Sequence, residues 1–372
     1  MHIASAELSS RQPRRAVGPK RPVPASRGAS RGSEVERPAV CSSGLCTQLP
    51  VQPSRLSLAA GRSAAQRPTL CLQFFCCVLT ALCMPVAAQA QTAPPRPPLA
   101  QRIGHTDLSK VELAHSHGSV GLRKCQTLVP ASAMDVNLNF VFRCQMQPGG
   151  GVAEHFHNTV EEMFTILDGE AEFTIDSHTS RVKGPAGAPQ RRGHSHAIYN
   201  PTDQPVDYLN INVSMTKGHY DAFNLGDSRD KVAVKDDIPQ FMLMRLDKSL
   251  LQPVTNYHGG QGTVRYRRAL DADVFETNWA YVDHLVIPPG ASEGLHYHTG
   301  VEEIYYVMDG SGQVQVNKEN EPIHKGDGVP ILFRDAHSFT NNGSTDLELM
   351  IIGISAVKDA LDTELGAPPA RR

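Results

Sequence analysis

The chain repeats itself. Gly149, His155, His157, Glu162, Gly169, His196 and Asn200 recur as Gly290, His296, His298, Glu303, Gly310, His337 and Asn341, each pair 141 positions apart with no slip. The pairs Glu161/Glu302 and Asp168/Asp309 keep that offset. A constant offset over a 52-residue stretch means two copies of one fold unit.

Within each copy the pattern is that of short strands. Val136–Phe142 alternates apolar with mostly polar residues, as do Glu170–Ile175 and Gly312–Val316. Asp168-Gly169 and Asp309-Gly310 are hairpin-turn dipeptides. Many short strands with regular turns and no long helical period indicate an all-β barrel or sandwich.

The repeated residues carry metal chemistry. In a strand, side chains at i and i+2 share a face, so His155 and His157 look the same way. Glu162 lies on the next strand and His196 on a later one. Three imidazoles and one carboxylate suit a divalent transition metal (Fe, Mn, Co, Ni, Cu or Zn) rather than Ca or Mg. The candidate ligands are His155, His157, Glu162 and His196 in one copy and His296, His298, Glu303 and His337 in the other, one metal per domain.

These residues resemble the cupin superfamily. Its first motif is Gly, five residues, His-x-His, three or four residues, Glu, six residues, Gly; both copies satisfy it. Its second motif ends in His, three residues, Asn, and His196–Asn200 and His337–Asn341 match. The family's Pro-x-Gly ahead of the last histidine is replaced by Arg191-Arg192-Gly193 and Leu332-Phe333-Arg334, which touches the loop and not the ligand. The resemblance covers residues 110–357 and implies a bicupin: two jelly-roll β-barrels in tandem, each with an internal metal site. A metal-free barrel of the seed-storage kind is the alternative, but this chain has lost no ligand. On this basis residues 105–214 and 259–357 are the two cupin domains, and 215–258 a connector with some helix around Asp237 to Leu251.

The segment ahead of the repeat differs in composition. Residues 1–66 are rich in Arg, Ser, Pro and Ala without apolar periodicity, and read as a disordered basic arm. The apolar run Thr69 to Val86 follows Arg62 and Arg67 and ends at Ala88-Gln89-Ala90. That is the form of a secretory signal peptide, residues 67–90, with a membrane-spanning helix as the alternative. The mature chain then begins near Gln91, with a Pro-rich start to residue 104. The arm is too long for a signal's charged region, so translation is expected to start downstream of Met1, unless the arm is a genuine part of the protein. Secretion to the periplasm or beyond fits the cysteines: six of eight precede the cleavage point, leaving Cys125 and Cys144 to form a disulfide across a hairpin turning near Ala131–Asp135.

Of the formal net charge of -2, residues 1–90 hold 11 of 36 basic and 3 of 38 acidic residues. The acidic remainder argues against a nucleic-acid partner, and no phosphate-binding loop is present. The expected partner is a small molecule, with no membrane after signal cleavage and homo-oligomerisation left open.

Other positions are candidates by spacing. Glu161 and Glu302 precede the ligand glutamates, so the pleat turns them away from the metal, more toward a salt bridge than a supporting role at the site. Phe164 and Tyr305 should line the two pockets. Tyr305, Asp335, Arg334 and His194 are the candidate catalytic residues. Tyr305 could hydrogen-bond a substrate, His194 and Asp335 could shuttle protons beside the last histidine, and Arg334 could hold a carboxylate. These polar neighbours favour the second copy for chemistry. The expected function is an exported metalloenzyme of dioxygenase, decarboxylase or isomerase type, acting on an organic acid, diketone, phenol or sugar acid. Among exported bicupins, the oxalate decarboxylases are nearest in architecture. The alternative is a bicupin that binds or senses metal or ligand without turnover.

Overall fold

The computed structural model describes residues 96–227 and 234–369. The basic arm and signal peptide expected from the sequence lie outside the described residues. No helix among the described residues is long and apolar enough to cross a membrane.

Each copy folds as two facing, largely antiparallel sheets. The first copy's inner sheet has the order Arg123–Pro130, Leu138–Met146, Val206–Ser214, Val160–Ile166, Ala186–Gln190, Met244–Arg245. Its other sheet runs Phe223–Gly226, Gly151–Phe156, His196–Tyr199, Glu170–Ile175, His178–Lys183, Val234–Lys235. The second copy has Gln252–Thr255, Thr263–Asp271, Trp279–Ile287, Leu347–Ser355, Val301–Asp309, Gly328–Ile331 in one sheet. The facing sheet is Glu319–His324, Ser311–Val316, His337–Thr340, Ser292–Tyr297, Glu364–Leu365. These are two jelly-roll barrels in tandem, as the sequence indicated.

The inner sheets are buried on both faces, because they pack against their own barrel and against each other. Along Val160–Ile166, Phe164 and Ile166 join the core inside the first barrel, while Met163 joins a core shared between the barrels. Val301, Tyr305 and Val307 likewise face inward, and Ile304 and Tyr306 face the shared core. Trp279, fully buried and stacked on Phe275 at 4.7 Å between ring centroids, belongs to the shared core.

Two reciprocal contacts tie the barrels. First, the segment ahead of each copy crosses to the other barrel. Gly104 exchanges both backbone hydrogen bonds with Gly328, at 2.8 and 3.0 Å, and Arg102 donates to Asp335 at 2.5 Å. Met244–Arg245 correspondingly pairs with Ala186–Gln190 of the first barrel. Second, the glutamates beside the ligand glutamates reach across. Glu161 accepts from the backbone N–H of Glu276 (2.9 Å) and of Thr277 (2.7 Å) and from the Thr277 hydroxyl. Glu302 accepts from the N–H of Asp135 (2.7 Å), Val136 (3.2 Å) and Phe333 (3.2 Å). The sequence led us to expect a salt bridge at Glu161 and Glu302; the structure instead places both, buried, on backbone amides of the other barrel, Glu302 also accepting from Phe333 of its own.

The expected connector is also corrected. Phe223–Gly226 closes the first barrel beside Gly151–Phe156, as Glu364–Leu365 closes the second, and Met244–Arg245 is the crossing arm of the second copy. Instead of a helix around 237–251 there is one 3₁₀ turn, Lys248–Leu250. Met244 and Leu246, spaced as in a strand, both enter the shared core, and Pro253 follows; neither feature suits a helix.

Cys125 and Cys144 face each other across the hairpin and are disulfide-bonded.

Two candidate metal centres

The His-x-His pairs lie at the ends of Gly151–Phe156 and Ser292–Tyr297, the glutamates on the neighbouring inner strands, and the last histidines open His196–Tyr199 and His337–Thr340. Each barrel thereby gathers His155, His157, Glu162 and His196, or His296, His298, Glu303 and His337, all buried, with their ligand atoms within 4.8 Å of one another. Glu162 Oε2 stands 3.4, 3.6 and 3.1 Å from Nε2 of His155, His157 and His196. Glu303 Oε2 is 3.4 and 3.1 Å from Nε2 of His298 and His337.

The rings are oriented from behind. Nδ1 of His155 faces Ala153 O (2.8 Å), that of His196 faces His194 O (3.2 Å), and that of His157 faces Asp221 O. The second copy repeats this with Gly294 O (3.0 Å), Asp335 O (3.0 Å) and Asp362 O. A carbonyl accepts only from N–H, so each ring carries its proton on Nδ1 and turns the Nε2 lone pair inward. Nε2 of His155, His157, His296 and His298 is buried without a hydrogen-bond partner. Partnerless buried nitrogens converging on a carboxylate fit a divalent transition ion.

The electrostatics agree. Burial disfavours the charge on Glu162, yet the imidazoles of His155, His157 and His196 around it hold its carboxyl well below the usual range. Glu303 is likewise held low by His298 against its own burial. Burial, with His337 beside it, pushes His296 down to about 2. Burial also opposes the charge on His298, but Glu303 outweighs it and raises that group to about 9 in the metal-free protein.

The sequence singled out four further residues, which the structure places differently from one another. Tyr305 is buried at the second cluster, its hydroxyl 3.3 Å from His337 Nε2 and 3.4 Å from both Glu293 and Glu303. The side chain of His194 points away from its cluster, exposed and 2.6 Å from Asp176. Asp335 is buried but turned toward Arg96 and Arg102. At both positions it is the backbone carbonyl that holds the ligand histidine. Arg334 is exposed and lines a surface depression with Arg96 and Phe333, not the cavity beside the second cluster. It sits at φ 66°, where the first copy has Gly193 at φ 75°. Its N–H bonds His298 O, as that of Gly193 bonds His157 O, so the loop keeps its shape despite the altered motif.

Several residues were not singled out from sequence although the 141-residue offset marks them. Asp221 and Asp362 orient His157 and His298 through their carbonyls, while their carboxylates cap Asn158–Thr159 and Thr299–Gly300. His117 stacks on His155 with centroids 3.8 Å apart, and His258 lies 3.9 Å from His296.

Around the ligands the copies diverge. A cavity of about 320 Å³ opens beside the second cluster, lined by His298, Glu303, Tyr257, Tyr281, Glu293 and Tyr305 among others. Tyr281 donates to Glu303 Oε1 at 2.7 Å. The positions equivalent to Tyr281, Glu293 and Tyr305 are Phe140, Val152 and Phe164 in the first copy.

Known proteins agree with this geometry. The family model described as "Cupin domain" matches residues 142–212 and 283–353. An oxalate-binding protein of Thermotoga maritima is 33% identical over 111 residues, 30% of this chain and 92% of that protein. An uncharacterized protein of Methanocaldococcus jannaschii is 25% identical over 107 residues, 29% of this chain and 85% of that protein. A solved variant of Bacillus subtilis oxalate decarboxylase superposes with a TM-score of 0.50 at 16% identity, covering 70% of this chain and 78% of the other, a likeness of fold alone. One family model met once in each barrel, and a relative matched over nearly its whole length, give the same answer as the two His/Glu clusters: this chain belongs to the cupin family.

Proposed function

We propose that this chain is an exported, metal-dependent enzyme acting on a small oxygenated molecule at its second cluster, by dioxygenase, decarboxylase or isomerase chemistry. The observation that carries this reading is the polar cavity of about 320 Å³ that Glu303 and His298 share with Tyr257, Tyr281, Glu293 and Tyr305. The same positions in the first copy are largely apolar, which leaves that cluster a supporting role. The apolar run ending in Ala88-Gln89-Ala90 supports secretion, to the periplasm or beyond.

A bound divalent transition ion would supply Lewis acidity toward a substrate oxygen. The protein's own groups do the rest. The Nδ1–carbonyl bonds fix the imidazoles, so little is reorganised when an ion or substrate arrives. The Tyr281 hydroxyl fixes Glu303 by donating to its outer oxygen. Tyr305 sets a hydroxyl between Glu293, Glu303 and His337, in reach of a bound molecule. Ile351 and Leu361 form the apolar part of the wall.

The test pairs metal stoichiometry with turnover over a panel of small acids, diketones, phenols and sugars, for Glu162→Ala and Glu303→Ala. Each variant should lose about half of the metal, and only Glu303→Ala should abolish turnover. Loss through Glu162→Ala alone would move the chemistry to the first barrel, and full metal in both variants would overturn the ligand assignment. The second reading, a bicupin that binds without turnover, is favoured by the likeness to the oxalate-binding protein; saturable ligand binding with no product would establish it.

A further inference from the structure

Glu293 is a buried carboxylate, 1% exposed, on the wall of the cavity at the second cluster. Its Oε1 lies 3.3 Å from His258 Nδ1 and 3.4 Å from the Tyr305 hydroxyl, while Oε2 is buried with no hydrogen-bond partner. His258, Glu293 and His296 also form a group that could hold an ion. That role conflicts with the first: Nδ1 of His296 is committed to Gly294 O, so its one inward lone pair serves a single ion. The unmet need of Glu293 is therefore for a donor brought by a ligand.

The remaining lining groups narrow the ligand further. Arg268 is the guanidinium of this wall, and it is spent on Asp283, with bonds of 2.9 and 3.2 Å. The Tyr266 hydroxyl also donates to Asp283, and the Tyr281 hydroxyl to Glu303. No uncommitted arginine or lysine among the lining residues awaits a carboxylate, and an anion entering here would meet the Glu293 carboxylate with no free guanidinium or ammonium to offset it. The partly exposed ring of Tyr257 offers apolar surface on this wall instead.

Building on the catalytic reading of this site, we propose that Glu293 sets its specificity: the second site takes an uncharged small molecule whose hydroxyl donates to Glu293, and disfavours dicarboxylates such as oxalate. The first copy carries Val152 at this position and lacks the selector.

Calorimetric titration of the full-length, zinc-loaded chain tests this, zinc being redox-inert. The probes are catechol for a phenolic ligand, D-xylose for a sugar, and oxalate. At least one neutral probe should bind ten or more times tighter than oxalate. Glu293→Gln should weaken that probe about tenfold and strengthen oxalate by as much. Glu293→Val, which copies the residue of the first barrel, should do the same, and metal content reports whether either variant keeps the site. Oxalate binding as tightly as the better neutral probe overturns the proposal, as does failure of both neutral probes, or an unchanged ratio in both variants. The catalytic reading fails separately: no turnover anywhere across the panel named above, with this binding preference intact, would sink that reading and leave this one standing.

Discussion

His298 shows how one residue can link proton, metal and stability. Its imidazole titrates near 9 in the metal-free fold, against 6.5 unperturbed, because Glu303 overcomes the effect of burial. The folded state thus holds this proton more tightly than the unfolded chain. The stabilisation, about 3 kcal/mol at most, is complete below pH 6.5 and is lost as pH rises through 9. A metal ion displaces the same proton. Calorimetry should therefore find the metal-free protein losing melting temperature between pH 7 and 9.5, while the zinc-loaded protein does not; parallel curves would contradict the ion pair. The ligand residues were legible in the sequence because strand geometry and the 141-residue offset both mark them. The supporting residues were not. Positions 194 and 335 were read for their side chains, yet their carbonyls act, and a carbonyl has no signature in sequence. Glu293 was invisible for another reason: it is a departure from the repeat, and repetition was the signal.

At the scale of elements, the inner strands explain what periodicity could and could not reveal. Val301–Val307 reads as an almost unbroken mixture of apolar and acidic residues, because alternate side chains enter two different cores. Alternation is clear only where one face meets water, as in Ser311–Val316. The helix expected near 237–251 failed on the same point, since a short arm pairing with another barrel has too few residues to show a period. Strand pairing also makes one glycine critical. Gly353 lies opposite Glu303, and a Cβ there would come within 2.6 Å of the Tyr281 ring. Gly353→Ala should displace that ring, break its bond to Glu303 and weaken metal binding at the second cluster ten- to a hundred-fold, the usual cost of losing a ligand's supporting hydrogen bond. Competition with a metal chelator would measure it. Unchanged affinity would show that Tyr281 does not hold Glu303 in place.

For the whole molecule, the barrels stand or fall together. Removing Glu161 leaves the buried Thr277 amide and hydroxyl, and the part-buried Glu276 amide, without their acceptor, each buried group worth about 1–3 kcal/mol. Glu161→Ala should lower unfolding free energy by at least about 2 kcal/mol in denaturant titration, and Glu302→Ala by a similar amount. A loss below 1 kcal/mol in both would mean the reciprocal clamp contributes little. Two barrels and their metal clusters could be read from the repeat. Their mutual dependence could not, because nothing in a linear pattern says that Glu161 of one copy meets residue 276 of the other.

That reciprocity has the form of a dimer contact within one chain. Each copy lends the other an arm and a glutamate, so the contact is self-complementary, as in a two-fold symmetric homodimer. The Thermotoga relative is little longer than one copy. In a homodimer every substitution near one centre appears at both. Once two copies share a chain, one pocket can gain Tyr281, Glu293 and Tyr305 while its twin keeps Phe140, Val152 and Phe164. Two copies in one chain are two independently heritable sites.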